Sequence, residues 1–168
     1  MVALGLMQVE GFTATESLRA DIGFMELALA AASHAGEIGE VPIGAVVVFR
    51  GEIVARAHNA PIAFSDPTAH AEILALREAS RRVHNYRLPG ATLYVTVEPC
   101  VMCVGAIVQA RLARVVFGCA DPKAGALGSV YDLVACRRTN HRFHVTKGIC
   151  AEEAKRLLQG FFQSRRGA

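Results

Sequence analysis

The chain has 168 residues, 52% of them hydrophobic and 20% charged, enough for one domain that buries roughly 70% of its unfolded surface and too apolar for a disordered chain. No apolar stretch approaches the roughly 20 residues that span a bilayer, and the opening MVALGLMQVEGF lacks a basic leader, so neither a membrane protein nor a secreted one is expected and the location should be cytoplasmic. The net charge of +3 is unevenly split: residues 137–168 hold eight Lys/Arg against two Glu (+6), while residues 1–136 hold ten against thirteen acids (−3), which suggests an anionic partner near the C-terminal end.

Residues 1–15 read as a loosely ordered extension and residues 16–168 as a single domain. Asp21 is placed to cap a first helix that runs to about Gly36. IGAVVVF and EIVARA flank Arg50-Gly51 as an antiparallel hairpin, and HNAPIAFSDPT follows as a loop. A helix from His70 carries Ile73, Leu76 and Val83 at helical spacing and buries one face. ATLYVTV has the continuous β-rich character of a strand covered on both sides. Pro99 suits the first position of the next helix. RVVFG is a short strand, CADPKAGALGS a loop, FHVTK an edge strand, and a last helix starts near Ala151. Strands alternating with helices after an opening hairpin predict an α/β fold, a mixed sheet with helices on both faces, whose sites gather where strands end and helices begin.

Two such helix starts carry the chemistry. The first, HAE, puts His70 and Glu72 two residues apart, which in a helix turns their side chains roughly 200° from each other. The second, PCVMC, puts Cys100 and Cys103 three apart, on one face of a helix whose first turn favours thiolates. Alone, the cysteine pair is equally a redox pair, His70 an ordinary exposed side chain and Glu72 a carboxylate serving the helix dipole. Five cysteines, an odd number without a second CxxC, argue against a disulfide framework and against a four-cysteine structural site. Together, one His and two Cys give the three-ligand count of a catalytic zinc with its fourth position left for water. Glu72, pointing elsewhere, is then the proton carrier. Zinc lowers the pKa of water from about 15.7 to about 7, and a placed acid/base adds roughly 10²–10⁴ in rate. That pairing suits hydrolytic expulsion of ammonia. HAE, 26 residues, then PCVMC completes the H-x-E…P-C-x-x-C signature of zinc deaminases.

From about Met25 to Arg166 the chain resembles cytidine-deaminase-fold enzymes, and among them the bacterial tRNA-specific adenosine deaminases. The resemblance is carried by VPIGAVVV, HNAPIAFSDPTAHAEILALREA, NYRLPGATLYVTVEPCVMCVGA, RVVFGCADPKAGALGS and FFQSRR. It implies a three-layer α-β-α sandwich around a five-stranded sheet, a homodimer with one zinc per subunit, and conversion of the wobble adenosine of tRNA, arginine tRNA above all, to inosine. By position, His70, Cys100 and Cys103 would hold the metal and Glu72 would move protons. Asn59 would bond the adenine edge, and Asp121 would meet flanking nucleotides; as residues alone, both read equally as turn formers. Phe162, Arg165 and Arg166 match an aromatic and basic tail suited to stacking and phosphate contact, or else a packed ring and helix-end charges. Cys119, Cys136 and Cys150 stand outside the motif and read as buried, inert thiols. The same zinc chemistry also fits a deaminase of free guanine, cytosine or a nucleoside. A non-catalytic zinc-stabilised RNA-binding partner would have no use for Glu72.

Overall fold

The computed structural model describes residues 13–136 and 139–166. Residues 1–12 of the expected extension, and Arg137 and Arg138 of the basic segment, lie outside them.

Helix α1 (Ala14–Glu37) begins seven residues before the expected Asp21. Its start is set by a reciprocal cap: Thr13 Oγ1 accepts from the Glu16 backbone N–H, and Glu16 Oε2 accepts from that of Thr13. Thr13-x-x-Glu16 therefore takes the role expected of Asp21, and Ala14 and Thr15 are helical. Asp21 instead faces inward, accepting from the Tyr94 hydroxyl at 2.8 Å and pairing with Arg114 at 2.6 Å.

The hairpin forms where Arg50-Gly51 predicts it. β1 (Gly44–Phe49) and β2 (Glu52–His58) are joined by two residues with φ of 53° and 80°, the left-handed pair whose twist matches antiparallel strands. The expected loop after β2 contains a one-turn helix, α2 (Pro61–Phe64), opened by its proline and closed by left-handed Ser65. α3 (Ala71–Val83), β3 (Thr92–Val97), α4 (Val101–Ala110), β4 (Arg114–Cys119), β5 (His144–Lys147) and α5 (Ala151–Arg166) follow. α4 starts later than expected: Pro99 precedes the cap, Cys100 is the cap in extended conformation, and Val101 is the first helical residue.

The strand order is β2-β1-β3-β4-β5, antiparallel across β2-β1-β3 and parallel across β3-β4-β5. β5 is an edge strand, as FHVTK predicts. Alternation along the central strands divides the core. Ala45, Val47, Leu93, Val95, Val115 and Phe117 pack with residues of α3 and α4 such as Ala75, Leu76, Val104 and Ile107. Val46, Val48, Tyr94 and Val116 face Met25 and Ala28 of α1. Each Val or Leu buried this way contributes roughly 1.5–3 kcal/mol, so the register of the middle strands is strongly held. The result is the three-layer α/β sandwich around a five-stranded mixed sheet. Among the described residues, no helix is long and apolar enough to cross a membrane.

The parallel strands end, and β1 begins, at one edge of the sheet. α5 crosses that edge: Ala154 packs with Val97 and Cys119, Leu158 packs near Ile43, and the Arg165 guanidinium donates to the Gly39 carbonyl. Glu40 in turn accepts from Ala63 N–H of α2 at 2.8 Å, and Asn59 N–H donates to Ile43.

Candidate active site

His70 is the N-cap of α3 and Cys100 that of α4, both extended (φ −71°, ψ 151° and φ −77°, ψ 173°). A polar side chain at this position usually turns back to accept a free amide of the first turn. Neither does so here. For α3 the Asn59 carboxamide substitutes, its Oδ1 accepting the Ala71 N–H at 2.8 Å. The caps are therefore released to point at each other. Cys103 is the third residue of α4, and a cap and a third residue converge just as the two members of a capping box do. That convergence brings the cysteines together, rather than a shared helical face.

The ligand atoms meet across the sheet edge. His70 Nδ1 lies 3.5 Å from Cys103 Sγ and 3.8 Å from Cys100 Sγ, and the three atoms all fall within 4.8 Å of one another. A tetrahedral zinc with Zn–S of about 2.3 Å and Zn–N of about 2.0–2.1 Å separates nitrogen from sulfur by about 3.6 Å, so the donor set fits that ion in type and in spacing. Among the described residues this is the one cluster of three such groups that could hold a metal. The hydrogen bond from Cys103 pulls the Cys100 thiol down to about 4, and the same bond, with burial, pushes the Cys103 thiol up. His70 is raised by its bond to Cys100.

Glu72, the second residue of α3, is 4% exposed and neighbours all three ligands. Burial pushes its carboxyl up, and its Oε2 has no hydrogen-bond partner among the described residues. Buried polar atoms are nearly always satisfied, so an orphaned carboxylate oxygen beside a ligand triad marks a group held for chemistry.

The other predicted residues are spread more widely. Asn59 is buried and adjoins the triad through Ala71, with its Nδ2 hydrogens directed away from that bond. Asp121 makes a local turn, its Oδ1 accepting Lys123 N–H at 2.9 Å, and its backbone N–H reaches Glu98. Phe162, Arg165 and Arg166 lie on α5 and take no part in the triad. Phe162 is 45% exposed, while Arg165 is committed to Gly39 and stacks 4.3 Å over the Phe161 ring. Arg166 is exposed. Cys119 is buried against Val97 and Ala154, outside the triad, whereas Cys136 and Cys150 are only half-buried.

Sequence reasoning passed over Glu98. It follows β3, is 3% exposed, and accepts from the backbone of Asp121, Leu127 and Ser129 and from the Ser129 hydroxyl. Burial opposes its ionisation, but those bonds hold the carboxyl below its usual range. The available signal was a carboxylate at the end of an otherwise apolar strand, two residues before Cys100.

The family described as MafB19-like deaminase matches residues 20–166. The chain is 48% identical over 147 residues to the tRNA-specific adenosine deaminase of Haemophilus influenzae, covering 87% of this chain and 85% of that one. It is also 48% identical over 143 residues to the tRNA-specific adenosine deaminase of Bacillus subtilis, covering 85% and 89%. A solved structure from studies of A-to-I editing by tRNA:A34 deaminases at the wobble position of transfer RNA superimposes with a TM-score of 0.79 at 46% identity, covering 81% of this chain and 99% of that one. With its triad, its buried carboxylate and these relatives, the chain belongs to the family of tRNA-specific adenosine deaminases.

Proposed function

We propose that this protein is a zinc-dependent hydrolase that converts adenosine to inosine at the wobble position of tRNA, with residues 16–168 as the catalytic domain. One observation carries the reading: three ligand atoms converge beside a buried carboxylate oxygen that has no hydrogen-bond partner among the described residues.

His70, Cys100 and Cys103 would hold the ion. Bound there, zinc supplies Lewis acidity that makes water acidic enough to deprotonate near neutral pH. Glu72 would take the first proton from water and pass it to the ring nitrogen, then take the second from the hydroxyl now on C6 and deliver it to the departing amine. The water oxygen ends on C6 of the base and ammonia leaves, so adenosine plus water becomes inosine plus ammonia. The raised affinity of Glu72 for protons suits a group that must both take and return one. Asn59 is oriented by Ala71 so that its Nδ2 hydrogens are available to acceptors on the adenine edge.

A base in this site must be turned out of its stack, which an anticodon loop permits at modest energetic expense. The excess of positive charge after residue 136 suits the phosphates of that loop. Phe162 offers a ring for stacking and Arg166 an exposed charge, with Asp121 on the loop beside Cys100 meeting a neighbouring nucleotide. Arginine tRNA is the proposed substrate, the cytoplasm the location, and a homodimer with one zinc per subunit the working form.

The test is to incubate zinc-loaded protein with arginine tRNA carrying a wobble adenosine, with guanine and with cytosine. Inosine in the tRNA alone is expected. Xanthine or uracil without inosine would overturn the assignment in favour of a free-base deaminase. Sedimentation of the same sample as a monomer would remove the dimer.

A further inference from the structure

Glu98 is bound to a segment remote from it in sequence. Its Oε1 accepts the Leu127 N–H at 2.9 Å and the Ser129 N–H at 3.0 Å, and its Oε2 accepts the Asp121 N–H at 3.2 Å and the Ser129 hydroxyl. One buried carboxylate thus gathers four donors from the strap 121–129. The fit is tight: a Cβ on Gly125 would lie 2.5 Å from Glu98 Cδ and 2.6 Å from the Asp121 carbonyl oxygen. A second anchor comes from β5, where Lys147 Nζ donates to the Leu127 carbonyl at 2.6 Å.

The strap also grips the backbone that carries a metal ligand. Gly125 forms an antiparallel bridge with Cys100, and the Ala126 N–H donates to the Pro99 carbonyl at 2.9 Å. Cys100 needs such support. It sits outside the helix proper, its side chain makes no capping bond, and its thiol direction is set by the backbone on either side. α4 fixes one side. Pro99 and the bridge, held through the strap, fix the other.

We propose that Glu98 is a positioning residue for Cys100, acting through the strap Asp121–Ser129 to hold the sulfur where the metal requires it. This rests on the zinc reading above. Groups that orient metal ligands from behind change metal affinity or activity by roughly 10–100-fold when lost. A carboxylate is needed because both oxygens must accept. In Glu98→Gln one oxygen becomes an amino group facing the Asp121 N–H, two donors opposed, while the side-chain volume stays the same.

The experiment loads the parent, Glu98→Gln, Lys147→Met and Leu158→Ala with cobalt(II) and follows metal release to a chelator, the sulfur-to-cobalt absorption band and the melting temperature. Leu158 packs in the α5 cluster, so its truncation lowers stability without touching the strap. Glu98→Gln should release metal about 10–100-fold faster with an altered sulfur band. Lys147→Met should shift both in the same direction by less, and Leu158→Ala should keep parental release at a comparable loss of melting temperature. Release from Glu98→Gln that matches Leu158→Ala at equal melting temperature would make Glu98 merely structural and overturn the proposal. Should Glu98→Gln fail to fold, parental release and an unchanged band in Lys147→Met overturn it instead. A parent that takes up no metal overturns the zinc reading itself, whereas parental release from Glu98→Gln overturns this inference alone.

Discussion

Replacing Glu72 with Gln separates chemistry from architecture. The substitution keeps the shape of a side chain that is 4% exposed, and keeps an oxygen near the triad, but it removes the group proposed to take and return protons. A placed acid/base contributes roughly 10²–10⁴ in rate, which at about 1.4 kcal/mol per tenfold is about 3–6 kcal/mol of transition-state stabilisation. Stability should move the other way. Burial pushes this carboxyl up, meaning that the folded protein resists its charge, and a neutral amide removes that penalty. Single-turnover inosine formation on the tRNA, elemental zinc content and thermal melting of one preparation read all three quantities. The expected outcome is about one zinc per chain, inosine formation slower by at least a hundredfold, and a melting point at or above the parent's. Parental inosine formation at full zinc content would refute the proton-carrying role. A rate loss that follows zinc loss would instead make Glu72 a ligand or its support.

Asp21→Asn breaks a pair whose acid side chain is 6% exposed and whose base is 28% exposed, and should cost about 2–4 kcal/mol in urea denaturation. Exchanging both Asp21 and Arg114 for apolar residues of similar size should recover only part of that loss, because the Tyr94 hydroxyl loses its acceptor, and additive single effects would dismiss the coupling. Arg166→Ala should lower the salt slope of RNA binding by about 0.7, one phosphate contact, with unchanged melting. Arg165→Ala should in addition lower the melting temperature, because it releases Gly39. In the acid range, Glu16 is held below its usual 4.5 by the backbone and hydroxyl of Thr13. Its folded form therefore binds protons less readily than its unfolded form, so its stabilisation is full above about 4.5 and fades as pH falls through the lower folded value. Amide exchange in the first turn of α1 should show this fading in the parent and not in Glu16→Gln.

Most of the scaffold was legible because its signals are local. Arg50-Gly51 set the hairpin, and the continuous apolar run of β3 marked a central strand. The triad was legible from residue types and spacing, even though its geometry differs: His70 and Cys100 are caps, not helical residues. The errors have physical causes. Asp21 has the chemistry of a cap, but Thr13-x-x-Glu16 satisfies two donors reciprocally, and a partner 93 residues away draws Asp21 inward. α2 was hidden in a loop since a single turn leaves no periodicity. Glu98 was invisible because its partners lie 23 to 31 residues downstream, and no local pattern announces a carboxylate that organises a distant strap.

The route from Arg165 to Gly39, from Glu40 to Ala63 and from Asn59 to Ile43 has a mechanical consequence. The final turn of α5 and the carboxamide that caps α3 belong to one linked frame. Trimming the chain enzymatically from its last helix would then be felt at Asn59, the amide proposed to meet the base, before any of the three proposed metal ligands were disturbed. Substrate selection would fail first, in a protein still carrying its full complement of metal.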